Sequence, residues 1–252
     1  MRKPVIAGNW KMNKTINEAI ELVNSLKREL VDVQEADIIV CPVYTALSEV
    51  SDLLIDSNIF LGAQNVYWEA SGAFTGEISP LMLKDAGCSH VIIGHSERRK
   101  YFNETDEAVN KRIKATQASG LIPIFCVGET LEEREENKTI EVIEKQLKGG
   151  LEGFESEALL KLIIAYEPVW AIGTGKTATP QQAQEVHKSI RGWLKEHYSS
   201  ETAENLRILY GGSVKPANIR ELMQQGDIDG ALVGGAALDS SSFVEIVKNS
   251  LG

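Results

Sequence analysis

Long apolar runs are missing from this chain of 252 residues. No stretch approaches the ~20 apolar residues that a bilayer-spanning helix requires. The charged start, Met1-Arg2-Lys3-Pro4, is followed by neither an apolar core nor a small-residue cleavage site, so a secretory leader is not expected and the chain reads as cytoplasmic. Cysteine is scarce. Cys41, Cys88 and Cys126 are odd in number, form no CxxC, and lie in or beside apolar runs. They read as reduced core residues, not as a disulfide framework or a metal site. Positive charge is also short: Lys and Arg total 26 against 36 Asp and Glu, for a net charge of −10. That balance argues against nucleic acid and anionic membranes as partners. Linkers and low-complexity segments are absent, and residues 1–252 read as one domain.

What is present is alternation. Strand-like runs fall at 5–10, 37–41, 59–64, 90–94, 122–127, 162–167, 207–210 and 230–233. Between them lie amphipathic stretches at 17–31, 45–56, 80–86, 105–119, 139–149, 180–198, 216–224 and 242–249. Helix-start signals stand at Asn17, Thr105, Thr179-Pro180, Lys215-Pro216 and Ser241. Alternation of this kind specifies an α/β protein with a parallel sheet and helices outside it. Eight units in about 250 residues fit a closed (β/α)₈ barrel better than an open doubly wound sheet. In such a barrel, function sits where strands end.

The chain is organised around residues 161–180, KLIIAYEPVWAIGTGKTATP. An apolar run ends on Glu167, and a carboxylate at a buried strand end is expensive unless it has a task. Pro168, Gly173 and Gly175 bracket what reads as a lid, Val169 to Lys176, before a helix that starts at Thr179-Pro180. The glycines superficially fit nucleotide-binding patterns. Those patterns need a strand directly before the motif, or a first glycine where Trp170 stands, and both conditions fail.

The other strand ends contribute Asn9 and Lys11, His95 and Glu97, Glu129, Gly211-Gly212-Ser213, and Gly234-Gly235. Glu129, with the acidic run 132–136, reads as a solvated helical face. Lys11, His95, Glu97 and the glycines each have an ordinary structural explanation when taken singly; their conjunction on one rim is the signal. Glycine loops after strands seven and eight suit an anion held by backbone N–H groups, and such donors need no net positive charge. Lys11 would be the one cation. Glu167 suits a general base. His95 at a helix start is expected neutral from pH 5 to 8, because the positive helix end disfavours imidazolium. Base, electrophile and phosphate cradle together describe proton abstraction beside a carbonyl in a small phosphorylated substrate.

Asn9-Trp-Lys11, Gly94-His95-Ser96-Glu97-Arg98-Arg99, Tyr166-Glu167-Pro168-Val-Trp-Ala-Ile-Gly173-Thr-Gly-Lys176-Thr, Tyr210-Gly-Gly-Ser213-Val and Gly234-Gly235 resemble the triosephosphate isomerases over essentially the whole chain. The resemblance implies interconversion of dihydroxyacetone phosphate and D-glyceraldehyde 3-phosphate, in glycolysis and gluconeogenesis, with no metal or cofactor. It implies that Glu167 moves the proton between C1 and C2 and that His95 polarises and relays. Lys11 would neutralise developing charge, and Asn9 would orient the substrate. Gly173, Ser213, Gly234 and Gly235 would bind phosphate through main-chain N–H groups, and Glu97 would lie against Lys11 and His95. It further implies a homodimer in which the loop from Asn65 to Glu77 enters the partner by its tip, Ala73-Phe74-Thr75-Gly76. The aromatic Tyr67, Trp68 and Phe74 in that loop agree with an interface, although they could also fold back on their own barrel. Two other classes share the glycine loops: a different phosphate-binding barrel enzyme, and a non-catalytic sensor. The first would not be expected to pair His95-Ser-Glu with Glu167-Pro-Val-Trp, and the second would not need Glu167.

Overall fold

A computed structural model of the chain describes residues 2–171 and 178–252. Eight strands, β1 (Val5–Asn9), β2 (Asp37–Cys41), β3 (Ile59–Ala63), β4 (His90–Ile93), β5 (Ile122–Val127), β6 (Ile163–Tyr166), β7 (Arg207–Tyr210) and β8 (Gly230–Val233), close into a barrel in sequence order. Every neighbouring pair is parallel, including the closing pair of β1 and β8. The expected barrel and all eight strands are present, with ends that differ by a residue at most.

Strand alternation divides the core in two. Along β5, Ile122, Ile124 and Cys126 point inward, joining Val5, Ala7, Ile39, Ile92, Ala165, Leu209 and Leu232 inside the barrel. Phe125 and Val127 point outward to the helices. Ile, Val, Leu, Ala and Cys side chains fill the interior as a packed core, so a ligand approaches at an end. Cys41, Cys88 and Cys126 are buried free thiols.

Helix boundaries correct several expectations. The helix expected from Asn17 spans Ile16–Leu30, with Thr15 and Glu18 forming a reciprocal cap. Pro216 starts no helix. The segment turns first, and Ile219–Met223 follows behind Asn218. The last helix, Ser240–Asn249, is capped by Asp239, whose carboxylate accepts from Ser242 N. Thr105 and Thr179 cap the helices Asp106–Ala118 and Pro180–His197 as expected.

Candidate active site

Glu167 follows the last residue of β6, and its N–H donates to Val127 O at 2.8 Å, one more rung of the ladder. The alternation that turns Ile163 and Ala165 inward turns Glu167 inward too. Glycines on both flanking strand ends make room for it. A Cβ on Gly128 would collide with the Glu167 carbonyl oxygen, and one on Gly211 would come within 2.8 Å of Glu167 Cγ. Gly211, read from the sequence as part of the anion cradle, therefore also seats the carboxylate.

His95 leaves β4 through Gly94, whose φ of +72° falls in the left-handed region that glycine tolerates. It caps the helix Ser96–Phe102, its Nδ1 accepting from Glu97 N at 3.2 Å. An accepting Nδ1 places the neutral ring's proton on Nε2, which lies 2.8 Å from Glu167 Oε1. The other carboxylate oxygen, Oε2, accepts from Ser96 N at 2.9 Å. Carboxylate and imidazole are both almost wholly buried.

Lys11 adopts φ +53°, a conformation that costs a non-glycine residue on the order of 1 kcal/mol and persists only when its surroundings hold it. Here Asn9 Oδ1 accepts from Lys11 N at 3.0 Å, and Gln64 Nε2 donates to Lys11 O at 2.8 Å and Cys41 O at 2.9 Å. The ammonium reaches Glu97 Oε1 at 2.6 Å. Three strand ends thus bring Lys11, His95 and Glu167 together.

The electrostatics modify one expectation. Burial alone would raise the Glu167 carboxyl, but His95, the Ser96 N–H and Lys11 together hold it below the usual carboxylate value. Burial alone would lower His95, but the charge and hydrogen bond of Glu167, with Glu97, outweigh burial and raise it. A ring neutral from pH 5, argued from the helix end alone, therefore does not describe the ligand-free site, because a carboxylate at 2.8 Å pulls the other way. The signs follow. The Glu167 contribution to stability is complete above 4.5 and lost as pH falls through its depressed value. That of His95 is complete below 6.5 and lost as pH rises through its raised value. Removing the carboxylate charge in Glu167→Gln is expected to lower the His95 midpoint, read by nitrogen NMR of the ring across pH 4 to 9; an unchanged or higher midpoint would show that Glu167 does not set it.

These groups open into a cavity of about 270 Å³ lined by Asn9, Lys11, His95, Glu167, Ser213 and the glycines at 211, 212, 234 and 235. A Cβ on Gly235 would meet nothing within 4 Å, and one on Gly234 would meet only the Lys11 side chain. That backbone is open to a ligand. Glu97 stands behind Lys11 and does not line the cavity. Of the expected lid, Val169–Ala171 form a short 3₁₀ turn; residues 172–177, Gly173 among them, lie outside the described residues. His90 and His187 are buried structural residues, pushed down by burial to about 4 and about 3.

Glu129 was misassigned by its acidic neighbourhood. It is fully buried, and its Oε1 accepts from Trp170 Nε1 at 2.9 Å, Tyr166 OH at 3.1 Å and Arg134 Nη1 at 3.1 Å. Its carbonyl oxygen accepts from Val169 N at 3.1 Å. It ties the end of β5 to the segment that follows Glu167. The available signal was its place directly after Gly128 at a strand end. Glu129→Ala is expected to lower unfolding free energy by about 3 kcal/mol, since it removes a fully buried carboxylate shared by one buried and two half-buried donors. A urea melt showing less than about 1 kcal/mol would refute that role.

A family model described as triosephosphate isomerase matches residues 4–250. Among curated relatives, the triosephosphate isomerase of Geotalea uraniireducens (strain Rf4) is 60% identical over 250 residues, covering 99% of this chain and 100% of the relative. That of Endomicrobium trichonymphae is 59% identical over the same shares, and that of Citrifermentans bemidjiense 56%.

Proposed function

The chain belongs to the triosephosphate isomerase family and interconverts dihydroxyacetone phosphate and D-glyceraldehyde 3-phosphate; from that premise we propose how its residues divide the work. Glu167 takes a proton from the carbon beside the carbonyl. The electron pair moves to the carbonyl oxygen as an enediolate forms; His95 gives its Nε2 proton to that oxygen and takes the hydroxyl proton from the neighbouring one, and Glu167 returns its proton to the former carbonyl carbon as the new carbonyl forms. Atoms balance within the substrate, so the reaction calls for no oxidant or reductant.

The observation that carries this assignment is the buried Glu167 carboxylate, 2.8 Å from a histidine whose proton sits on Nε2, beside an open glycine backbone. An Nε2–H can donate to either substrate oxygen as charge develops. Lys11 adds a positive charge whose position is fixed by Glu97 and by a constrained backbone. Asn9 orients Lys11 and the substrate. Ser213, Gly234 and Gly235 offer main-chain N–H groups to the phosphate, and Gly173 is assigned with them from the family pattern. A burial cost that keeps the carboxylate dry also strengthens its basicity once His95 turns to the substrate. Coupled assays in both directions test the assignment: wild type turns over both triose phosphates, and alanine at His95 or Lys11 lowers kcat/KM. Full activity in either variant would remove that residue from the scheme.

Assembly belongs to the same proposal. Met12, Tyr44, Phe74, Tyr101 and Phe102 are exposed apolar side chains. They follow β1, β2, β3 and β4, four adjacent strands, on the cavity end of the barrel. Within the loop, Tyr67 stacks on Trp68 with ring centroids 4.2 Å apart and leans on Phe74 at 4.8 Å. The rings brace one another while residues 69–77 stay exposed. Such a projecting, self-braced loop beside an apolar rim supports a homodimer in which its tip, around Thr75, docks near the partner's site. Among the described residues no helix is long and apolar enough to cross a membrane, and the assigned compartment is the cytoplasm.

A further inference from the structure

Lys215 also lines the cavity, and none of the roles above uses it. It follows the Gly211-Gly212-Ser213 loop, is exposed, and takes part in no ion pair among the described residues. Its main-chain N–H donates to Asn218 Oδ1 at 2.8 Å, so the backbone holds the residue at the cavity edge. The charge balance gives it a task. Lys11 is matched by Glu97 at 2.6 Å, and Glu167 adds a second carboxylate. Even with His95 protonated against Glu167 these local charges only cancel, in a chain of net charge −10. A phosphate dianion therefore finds no net local attraction, and the field of an acidic chain, before any main-chain N–H can reach it, and Lys215 adds an exposed positive charge at the opening.

Resting on the reading of the substrate given above, we propose that Lys215 is a capture residue for the substrate phosphate, drawing the dianion to the glycine cradle and favouring phosphorylated over neutral trioses. An exposed cation at a pocket mouth acts through the field, and that field is screened by salt. The test measures kcat/KM for glyceraldehyde 3-phosphate and for unphosphorylated glyceraldehyde at ionic strengths from about 10 mM, where the screening length is about 30 Å, to about 150 mM, where it is about 8 Å. At the low end, Lys215→Met is expected to lose about five-fold in kcat/KM on the phosphorylated substrate, as one charge acting on a dianion through water implies. Lys215→Glu should lose more, and Lys215→Arg should recover most of the loss. The gap should narrow to about two-fold or less at the high end. kcat should fall less than kcat/KM, and the preference for the phosphorylated substrate should shrink by the same factor. Salt dependences that run parallel in wild type and Lys215→Met, or equal losses on both substrates, would overturn the proposal. A wild-type protein that does not turn over glyceraldehyde 3-phosphate would overturn the substrate reading, and this role with it.

Discussion

Glu167→Gln is expected to lower kcat on either triose phosphate by about 10²–10⁴-fold, the usual contribution of a positioned general base, or roughly 3–5 kcal/mol of barrier. The amide matches the carboxylate in shape, so Gly128 and Gly211 still leave it room, and its carbonyl oxygen can still accept from Ser96 N. The fold should therefore survive, and so should phosphate affinity, because the glycine cradle does not depend on the Glu167 charge. What disappears is the lone pair that takes the proton. The expected pattern is a collapse of kcat with the affinity for a non-reacting phosphorylated ligand within a few-fold of wild type. Near-wild-type kcat would take Glu167 out of the chemistry. Loss of binding together with turnover would make it a structural group instead.

Deleting residues 67–76 and closing the gap is expected to give a folded monomer with kcat lower by about 100-fold or more. The barrel does not need the loop: Val66 remains, holding the Arg112 Nε contact to its carbonyl at 2.8 Å, and β3 ends before the deletion at Ala63. What is lost is the exposed Phe74 tip, the aromatic brace behind it, the Tyr67 N–H bond to Ile78 O and the Trp68 ring against Arg112 and Lys111. Each site keeps all its own catalytic side chains, so the loss in activity must come from position. Lys11 sits in a costly backbone conformation beside Met12, which is 93% exposed in the single chain. A partner loop seated there would hold that segment still, and displacement of a reacting group by about 1 Å can cost 10²-fold. Sedimentation and turnover measured on one sample decide the point. A wild type that sediments as a monomer at micromolar concentration, or a fully active loop-deleted monomer, would end the argument for assembly.

The strands were legible because they are short apolar runs, most of them ended by glycine or a polar residue, and burial on both faces along most of their length leaves few other readings. Glu167 was legible for the opposite reason, as a charge where the pattern demands an apolar residue. Conformation and partnership were not legible. Nothing in Asn9-Trp10-Lys11 announces a left-handed Lys11, or that Gln64, more than fifty residues on, would hold its carbonyl. Glu129 was hidden among exposed carboxylates that share its composition and not its burial. Lys215-Pro216 carried a helix-start pattern that tertiary context overrode, and its cation was passed over in favour of Lys11. The helices Ser156–Leu159 and Ser200–Asn205 went unread because four to six residues complete too few turns to show a period. His95 was placed correctly, while its titration depended on a carboxylate seventy-two residues away that no local pattern could bring to it.

The central claim is that a side chain in this cavity carries a proton between adjacent carbons. Turnover of glyceraldehyde 3-phosphate in deuterium oxide, with product removed as it forms, tests it directly. A carboxylic acid formed at Glu167 exchanges with solvent, so the account predicts dihydroxyacetone phosphate carrying deuterium at C1 and none at C3, read by proton NMR. A product that keeps the original hydrogen completely, with no solvent deuterium at C1, would mean direct hydride migration between the carbons and would contradict it.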